Sequence, residues 1–152
     1  MSNLDIARGV LELVRGLGVH ECCVCAGSRN SPLIVAFAES DLALYSFIDE
    51  RSAAFFALGR SKLRGRPVAV LTTSGTAVAE MLPAAVEAYY SGVPLILISA
   101  DRPDRYRGTG APQAIEQDAI FGPYASRDAA AWDRSMPLHI NVPFDEPLLP
   151  DA

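Results

Sequence analysis

Four polar segments hold the residues with which this chain could do chemistry: AGSRNS at 26–31, IDE at 48–50, TTSGT at 72–76 and ADRPDR at 100–105. In the second, Asp49 and Glu50 stand at the mouth of an apolar helical stretch, ERSAAFFALG. Acids there can cap free N–H groups and favour the positive end of the helix dipole, worth about 0.3–1 kcal/mol. That explanation suffices for the pair taken alone, so a catalytic carboxyl needs support from elsewhere. In AGSRNS, Gly27 relaxes the backbone, Ser28 offers a hydroxyl, and Arg29 projects from a strand end; a turn with a solvated arginine fits equally well. TSGT resembles a phosphate cradle, because Gly75 could let helix N–H groups approach an anion. It lacks the lysine of a P-loop, and no GxGxxG accompanies it. Arg102, Arg105 and Arg107 stand among Asp101 and Asp104. Paired surface charges would account for all five, yet one arginine held inward is enough to grip a carboxylate.

No GxSxG, HExxH or Ser/His/Asp constellation occurs. Cys22, Cys23 and Cys25 in ECCVC lack zinc-site spacing and read as small core residues in a reducing compartment. The chain therefore brings a carboxyl group and arginines but no evident machine of its own. That inventory suits a cofactor enzyme in which the protein supplies orientation and charge.

The elements that must position these segments alternate. Apolar residues at helical spacing predict a helix over 3–17, with ECCVC as a first strand. Ser31 is placed to cap a helix begun by Pro32. ALYSF, PVAVLT, PLILIS and PLHINVP read as further strands. ERSAAFFALGRSKL and AVAEMLPAAVEAYY read as helices, the latter with Pro83 as a kink or an early stop. The strands are continuous apolar runs separated by helices, which predicts an α/β fold with a parallel sheet buried on both faces. In such sheets the loops beyond the carboxyl ends of the strands form the site, and all four polar segments fall there.

The 152 residues are half apolar and one-fifth charged, with a net charge of −5. One globular domain over 1–152 is expected, without internal repeat or linker. The charge argues against nucleic acid as partner, and no run approaches the ~20 apolar residues of a membrane span. The N-terminus lacks the pattern of a signal peptide, so a cytoplasmic protein is expected.

AGSRNSPL, DERSAAFFALG, TSGTAVAE, ADRP and GAPQAIEQ occur in an order and at distances that carry a specific resemblance. Together with PLHINVPFDEPL they resemble the N-terminal pyrimidine-binding domain of the MenD family, thiamine-diphosphate-dependent 2-succinyl-5-enolpyruvyl-6-hydroxy-3-cyclohexene-1-carboxylate synthases. The resemblance implies that Glu50 hydrogen-bonds the aminopyrimidine of the cofactor and promotes its imino tautomer, which takes the thiazolium C2 proton. An apolar setting for Glu50 would favour a shared proton, and Phe55 and Phe56 are expected to supply it. The implied substrates are 2-oxoglutarate, which is decarboxylated, and isochorismate, to which the product carbanion adds. Ser28, Arg29, Arg102 and Gln113 would surround isochorismate, while Ser74, Gly75 and Thr76 would line the cofactor region.

Two departures bear on these expectations. Ala26 stands where the family usually has proline, and the stretch 121–137 is much shorter than the family's corresponding segment, with at most a turn or two of helix at AAAW for a parallel crossover, leaving the sheet edge and Trp132 without an assigned place. No GDG motif for Mg²⁺ and diphosphate occurs. The middle and diphosphate-binding domains are expected outside these 152 residues, the latter in the same or a partner chain, in a homo-oligomer. A noncatalytic small-anion-binding module of the same fold is the alternative.

Overall fold

Five short strands form one sheet in the computed structural model, which describes residues 1–149. They are β1 (Glu21–Cys25), β2 (Ala43–Phe47), β3 (Val68–Thr72), β4 (Leu95–Asp101) and β5 (Leu138–Pro143). All neighbours pair in parallel, in the order β2-β1-β3-β4-β5. The helices are α1 (Asn3–Gly16), α2 (Ser31–Ala38), α3 (Glu50–Arg64), α4 (Thr76–Glu80) and α5 (Leu82–Tyr90). No described helix is long and apolar enough to cross a membrane.

The two-residue period of the strands divides the core. Cys22, Leu71, Ile96 and Ile98 face one side, where Leu11, Val14, Leu33 and Phe37 of α1 and α2 cover them. Cys23, Cys25, Val70, Leu95 and Leu97 face the other, beneath α3, α4 and α5. There Ala53, Ala54, Ala57, Ala84, Ala85 and Ala88 are fully buried, and their small side chains let the helix backbones lie close to the sheet. The three cysteines are free and buried in this packing. Burial pushes the Cys23 and Cys25 thiols up to about 12, which removes the thiolate that redox or metal chemistry needs.

Two expected elements differ in detail. The helix after the TSGT segment is broken at Met81 into α4 and α5, because Pro83, in the first turn of α5, has no N–H to continue the ladder. Ser31 is already inside α2, and the cap position is Asn30. The Ser31 hydroxyl instead donates to the Ser28 carbonyl at 2.6 Å. The β4-to-β5 connection, residues 102–137, contains two short 3₁₀ turns and no α-helix. A crossover needs length rather than a helix as such, and this one supplies it. Ser126 adds a parallel bridge to Leu138, and Trp132 is buried in the core with α1 and α2, its indole donating to Met136 O at 2.7 Å.

Two buried titratable groups set the acid stability. Glu21, 3% exposed, lies among Arg60, Arg64 and Arg66 at 2.6, 3.5 and 3.2 Å. Burial pushes its carboxyl up, but hydrogen bonds from Arg60 and Arg66 outweigh that and hold it below 4.5. His139, 3% exposed, is pushed down to about 4 by burial, against the Asp118 carbonyl that favours its charged form. Both folded-state values lie below the unfolded ones, so both groups contribute stability at neutral pH that is lost on acidification. The His139 share, about 3 kcal/mol at most, should disappear between pH 6.5 and 4. The Glu21 share follows below pH 4.5. Thermal melts across pH 7 to 3 should show both limbs, and His139→Gln should flatten the first alone.

Candidate functional site

The sheet order reverses between β1 and β3, and the loops after those strands meet there, the place where α/β sheets bind ligands. A Cβ on Gly27 would lie 2.6–2.9 Å from the Thr73 side chain, so glycine is what allows the loops to touch. Asn30 closes the first loop from beneath: its amide oxygen accepts from Gly27 N at 2.9 Å and its nitrogen donates to Cys25 O at 2.9 Å. It is fully buried.

Glu50 stands beside this junction as the first residue of α3. The capping that would explain an acid here is performed by Asp49, whose carboxylate accepts from Ser52 N at 2.7 Å. Glu50 instead accepts a hydrogen bond from the Thr72 hydroxyl, at the end of β3, at 3.2 Å through Oε1. Its other oxygen has no protein partner among the described residues, and the side chain is half-buried. The expected apolar wall is absent on one count: Phe55 and Phe56 are 42% and 39% exposed. Helical geometry turns them outward while Ala53 and Ala54 face the sheet, and Phe56 packs on Tyr45 and Phe47 at 5.2 Å between ring centroids.

The TSGT turn is not the open anion cradle its glycine suggested. Gly75 N–H donates to Gln117 Oε1 at 2.9 Å. With φ +83°, Gly75 lies in glycine's own region, and a Cβ there would sit 2.8–2.9 Å from Gln113 Cβ and Cα. The glycine thus admits the backbone of another segment rather than a phosphate. Ser74 is buried, and its carbonyl accepts from Gln113 Nε2 at 3.2 Å. Thr76 opens α4 and is exposed.

The arginines separate. Arg105 pairs with Asp145, and Arg107 pairs with Asp101, Asp104 and Glu116 at 3.2–3.4 Å. The Arg102 side chain has no acidic partner among the described residues. Its Nε donates to Pro112 O at 2.9 Å, and its guanidinium lies 5.5 Å from the Tyr106 ring centroid, which leaves the Nη donors for a ligand. Arg29 is not a solvated strand-end arginine. It is 6% exposed and donates to Phe144 O at 3.0 Å and Glu146 Oε1 at 2.9 Å. Ser28 is exposed beside it. Thus the fold brings Glu50, Ser74, Gly75 and Gln113 to neighbouring loop ends, with Arg102 tied to the same 111–117 segment, while Arg29 is turned toward the end of β5.

Thr72, Asn30 and Gln117 were missed in the sequence reading. A buried polar residue in a strand end or a coil segment has no periodic signal; only the partner that satisfies it reveals the role. Among the described residues no group of three or more His, Cys, Asp or Glu side chains could hold a metal ion.

The profile of "Thiamine pyrophosphate enzyme, N-terminal TPP binding domain" matches residues 4–120. A curated 2-succinyl-5-enolpyruvyl-6-hydroxy-3-cyclohexene-1-carboxylate synthase of Bdellovibrio bacteriovorus is 49% identical over 163 aligned positions, covering 98% of this chain and 31% of that protein. Synthases of the same name from Akkermansia muciniphila and Geobacillus kaustophilus are 52% and 47% identical over 86% and 91% of the chain. The chain spans about a third of the length of the curated relatives it matches. The 163 aligned positions exceed the chain's 152 residues, so the Bdellovibrio relative carries residues with no counterpart here.

Proposed function

This chain belongs to the thiamine pyrophosphate enzyme family as an N-terminal TPP-binding domain, and from that premise we propose that it is the pyrimidine-binding part of a synthase joining 2-oxoglutarate to isochorismate. The observation that supports it most is the Glu50 carboxyl, relieved of capping by Asp49 and held by Thr72 beside the β1/β3 junction. The bound cofactor supplies a nucleophilic carbon and an electron sink. Glu50 would share a proton with the pyrimidine ring through the oxygen that Thr72 leaves free, and the Thr72 hydroxyl fixes the carboxyl's orientation while it does so. Ser74, Gly75 and Thr76 form the adjoining edge of the cofactor region. Asn30 fixes the loop after β1, and the close Gly27–Thr73 approach sets that loop against the one after β3.

The residues at the β1/β3 junction fit the pyrimidine end of the cofactor, and the oxygen ligands that Mg²⁺ takes together with a diphosphate would come from elsewhere. Mg²⁺ and diphosphate are assigned to a further domain of the same or a partner chain in a homo-oligomer. Ile48, Phe55, Phe56 and Leu63, all exposed, offer that domain an apolar face along α3.

Both proposed substrates are polyanions. Arg102 is the side chain best placed to bind a carboxylate, with Ser28, Arg29 and Gln113 completing the surround. The two arginines should separate experimentally. Arg102→Ala in the full-length protein should raise the KM for isochorismate about tenfold and leave stability within about 0.5 kcal/mol. Arg29→Ala should cost about 2–3 kcal/mol of stability, because it leaves the buried Phe144 carbonyl without its donor. Thermal melts alongside thiamine-diphosphate-dependent turnover of both substrates test the assignment. Equal stability of the two variants, or no turnover of these substrates by the full-length protein, contradicts it.

A further inference from the structure

An unbroken line of buried and part-buried hydrogen bonds joins the TSGT turn to the backbone of Arg102. Gly75 N–H donates to Gln117 Oε1 at 2.9 Å. Gln117 Nε2 donates to Asn141 Oδ1 at 2.8 Å and to Ala100 O at 2.9 Å. Asn141 Nδ2 donates to Asp101 Oδ2 at 2.8 Å, and Asp101 Oδ1 accepts from the backbone N–H of Arg102 at 2.7 Å. Gln117 is fully buried and Asp101 is 2% exposed.

Donor and acceptor accounting fixes both amides, and Asp101 Oδ2 also accepts from Arg107 Nη2 at 3.4 Å. Asn141 Oδ1 also accepts from Ser99 Oγ at 2.8 Å, so both its lone pairs are used. Reversing the Asn141 amide would set its oxygen against the Asp101 carboxylate and its nitrogen against Gln117 Nε2. Each amide therefore has one orientation, and each link fixes the next. The line also crosses the loop end of three elements: the turn after β3, the end of β4, and β5. The 111–117 segment hangs from it, since Arg102 Nε holds Pro112 O and Gln113 Nε2 holds Ser74 O.

We propose that Gln117, Asn141 and Asp101 are positioning residues that hold the Arg102 guanidinium in register with the TSGT turn, so that the carboxylate-binding and cofactor-binding sides of the site keep a fixed separation. This rests on the reading of Arg102 as the carboxylate-binding arginine. Buried amide and carboxylate groups at such a place are costly unless every partner is present, and a fully satisfied network is rigid. A rigid link means that Arg102 meets its ligand without first being ordered, which lowers the cost of binding.

The test is a double-mutant cycle in the full-length protein, read as the KM for isochorismate and as the dissociation constant of that substrate by calorimetry. Gln117→Leu cuts the line at one link, and Asp101→Asn cuts it at another without change of volume. Either should weaken binding about tenfold, about 1.4 kcal/mol, in the wild-type background and hardly at all in an Arg102→Ala background. The exchanged pair Asp101→Asn with Asn141→Asp restores a donor facing an acceptor at every link from Gly75 to Arg102, gives up only the 3.4 Å Arg107–Asp101 contact, and should recover most of the affinity. Should Gln117→Leu fail to fold, the Asp101→Asn single and exchanged variants give the same reading. Equal losses in both backgrounds, or an exchanged pair no better than Asp101→Asn alone, overturn the positioning role. An Arg102→Ala variant that binds isochorismate as the wild type does overturns the reading of Arg102 itself, and the positioning role with it.

Discussion

Glu50→Gln in the full-length protein should lower turnover about 10²–10⁴-fold while the domain stays folded. The substitution keeps the volume and keeps an oxygen able to accept the Thr72 hydroxyl, so packing at the end of β3 has no reason to change. It removes the ionisable proton and the carboxylate charge, leaving an amide that cannot share a proton. The neighbouring acid supplies the contrast, because capping of α3 belongs to Asp49. Asp49→Ala should lower the melting temperature and leave the chemical step intact, since it deletes a helix cap and not a shared proton. Two adjacent carboxyl groups thus divide stability and chemistry between them. Glu50→Gln with wild-type turnover, or Asp49→Ala with lost turnover and an unchanged melt, would reverse that division.

The second large effect concerns the 152-residue chain on its own. It should bind thiamine diphosphate about a thousandfold more weakly than a full-length curated relative does, and should not turn over 2-oxoglutarate. The cofactor has two ends with different needs. On the proposed reading the pyrimidine end meets Glu50 at the β1/β3 junction, whereas the diphosphate end needs Mg²⁺ and oxygen ligands from a further domain. Calorimetric titration of both proteins with thiamine diphosphate and Mg²⁺ gives the comparison. Micromolar affinity for the chain alone would show that the diphosphate end is held here after all.

The sheet was legible in the sequence because its strands are buried on both faces, and continuous runs such as PVAVLT and PLILIS leave few other readings. Helix limits were legible where capping chemistry is local, as at Asp49, and less so where it is not. Asn30 occupies a cap position but spends its side chain on the loop before it. The motif residues were visible by type and spacing, yet their orientation was not. Arg29 and Arg102 occupy similar loop positions after buried strands, and nothing in the sequence says that Glu146 and Phe144 engage the first while the second stays free of acids. Gly75 shows the same limit: a glycine that could admit an anion admits the Gln113 backbone instead. Phe55 and Phe56 resemble core residues in composition, but Ala53, Ala54 and Ala57 occupy the buried face of α3, and Phe56 reaches only the edge strand β2. Long-range partners decide each case, and those become visible only when the chain is folded.

The central claim is that the Glu50 carboxyl activates the cofactor bound at the β1/β3 junction. Deuterium exchange at C2 of thiamine diphosphate bound to the full-length protein measures that step before any substrate is present. The account predicts that Glu50→Gln slows this exchange about 10²–10⁴-fold relative to wild type, with cofactor still bound. Exchange at the wild-type rate in the Glu50→Gln protein would contradict it.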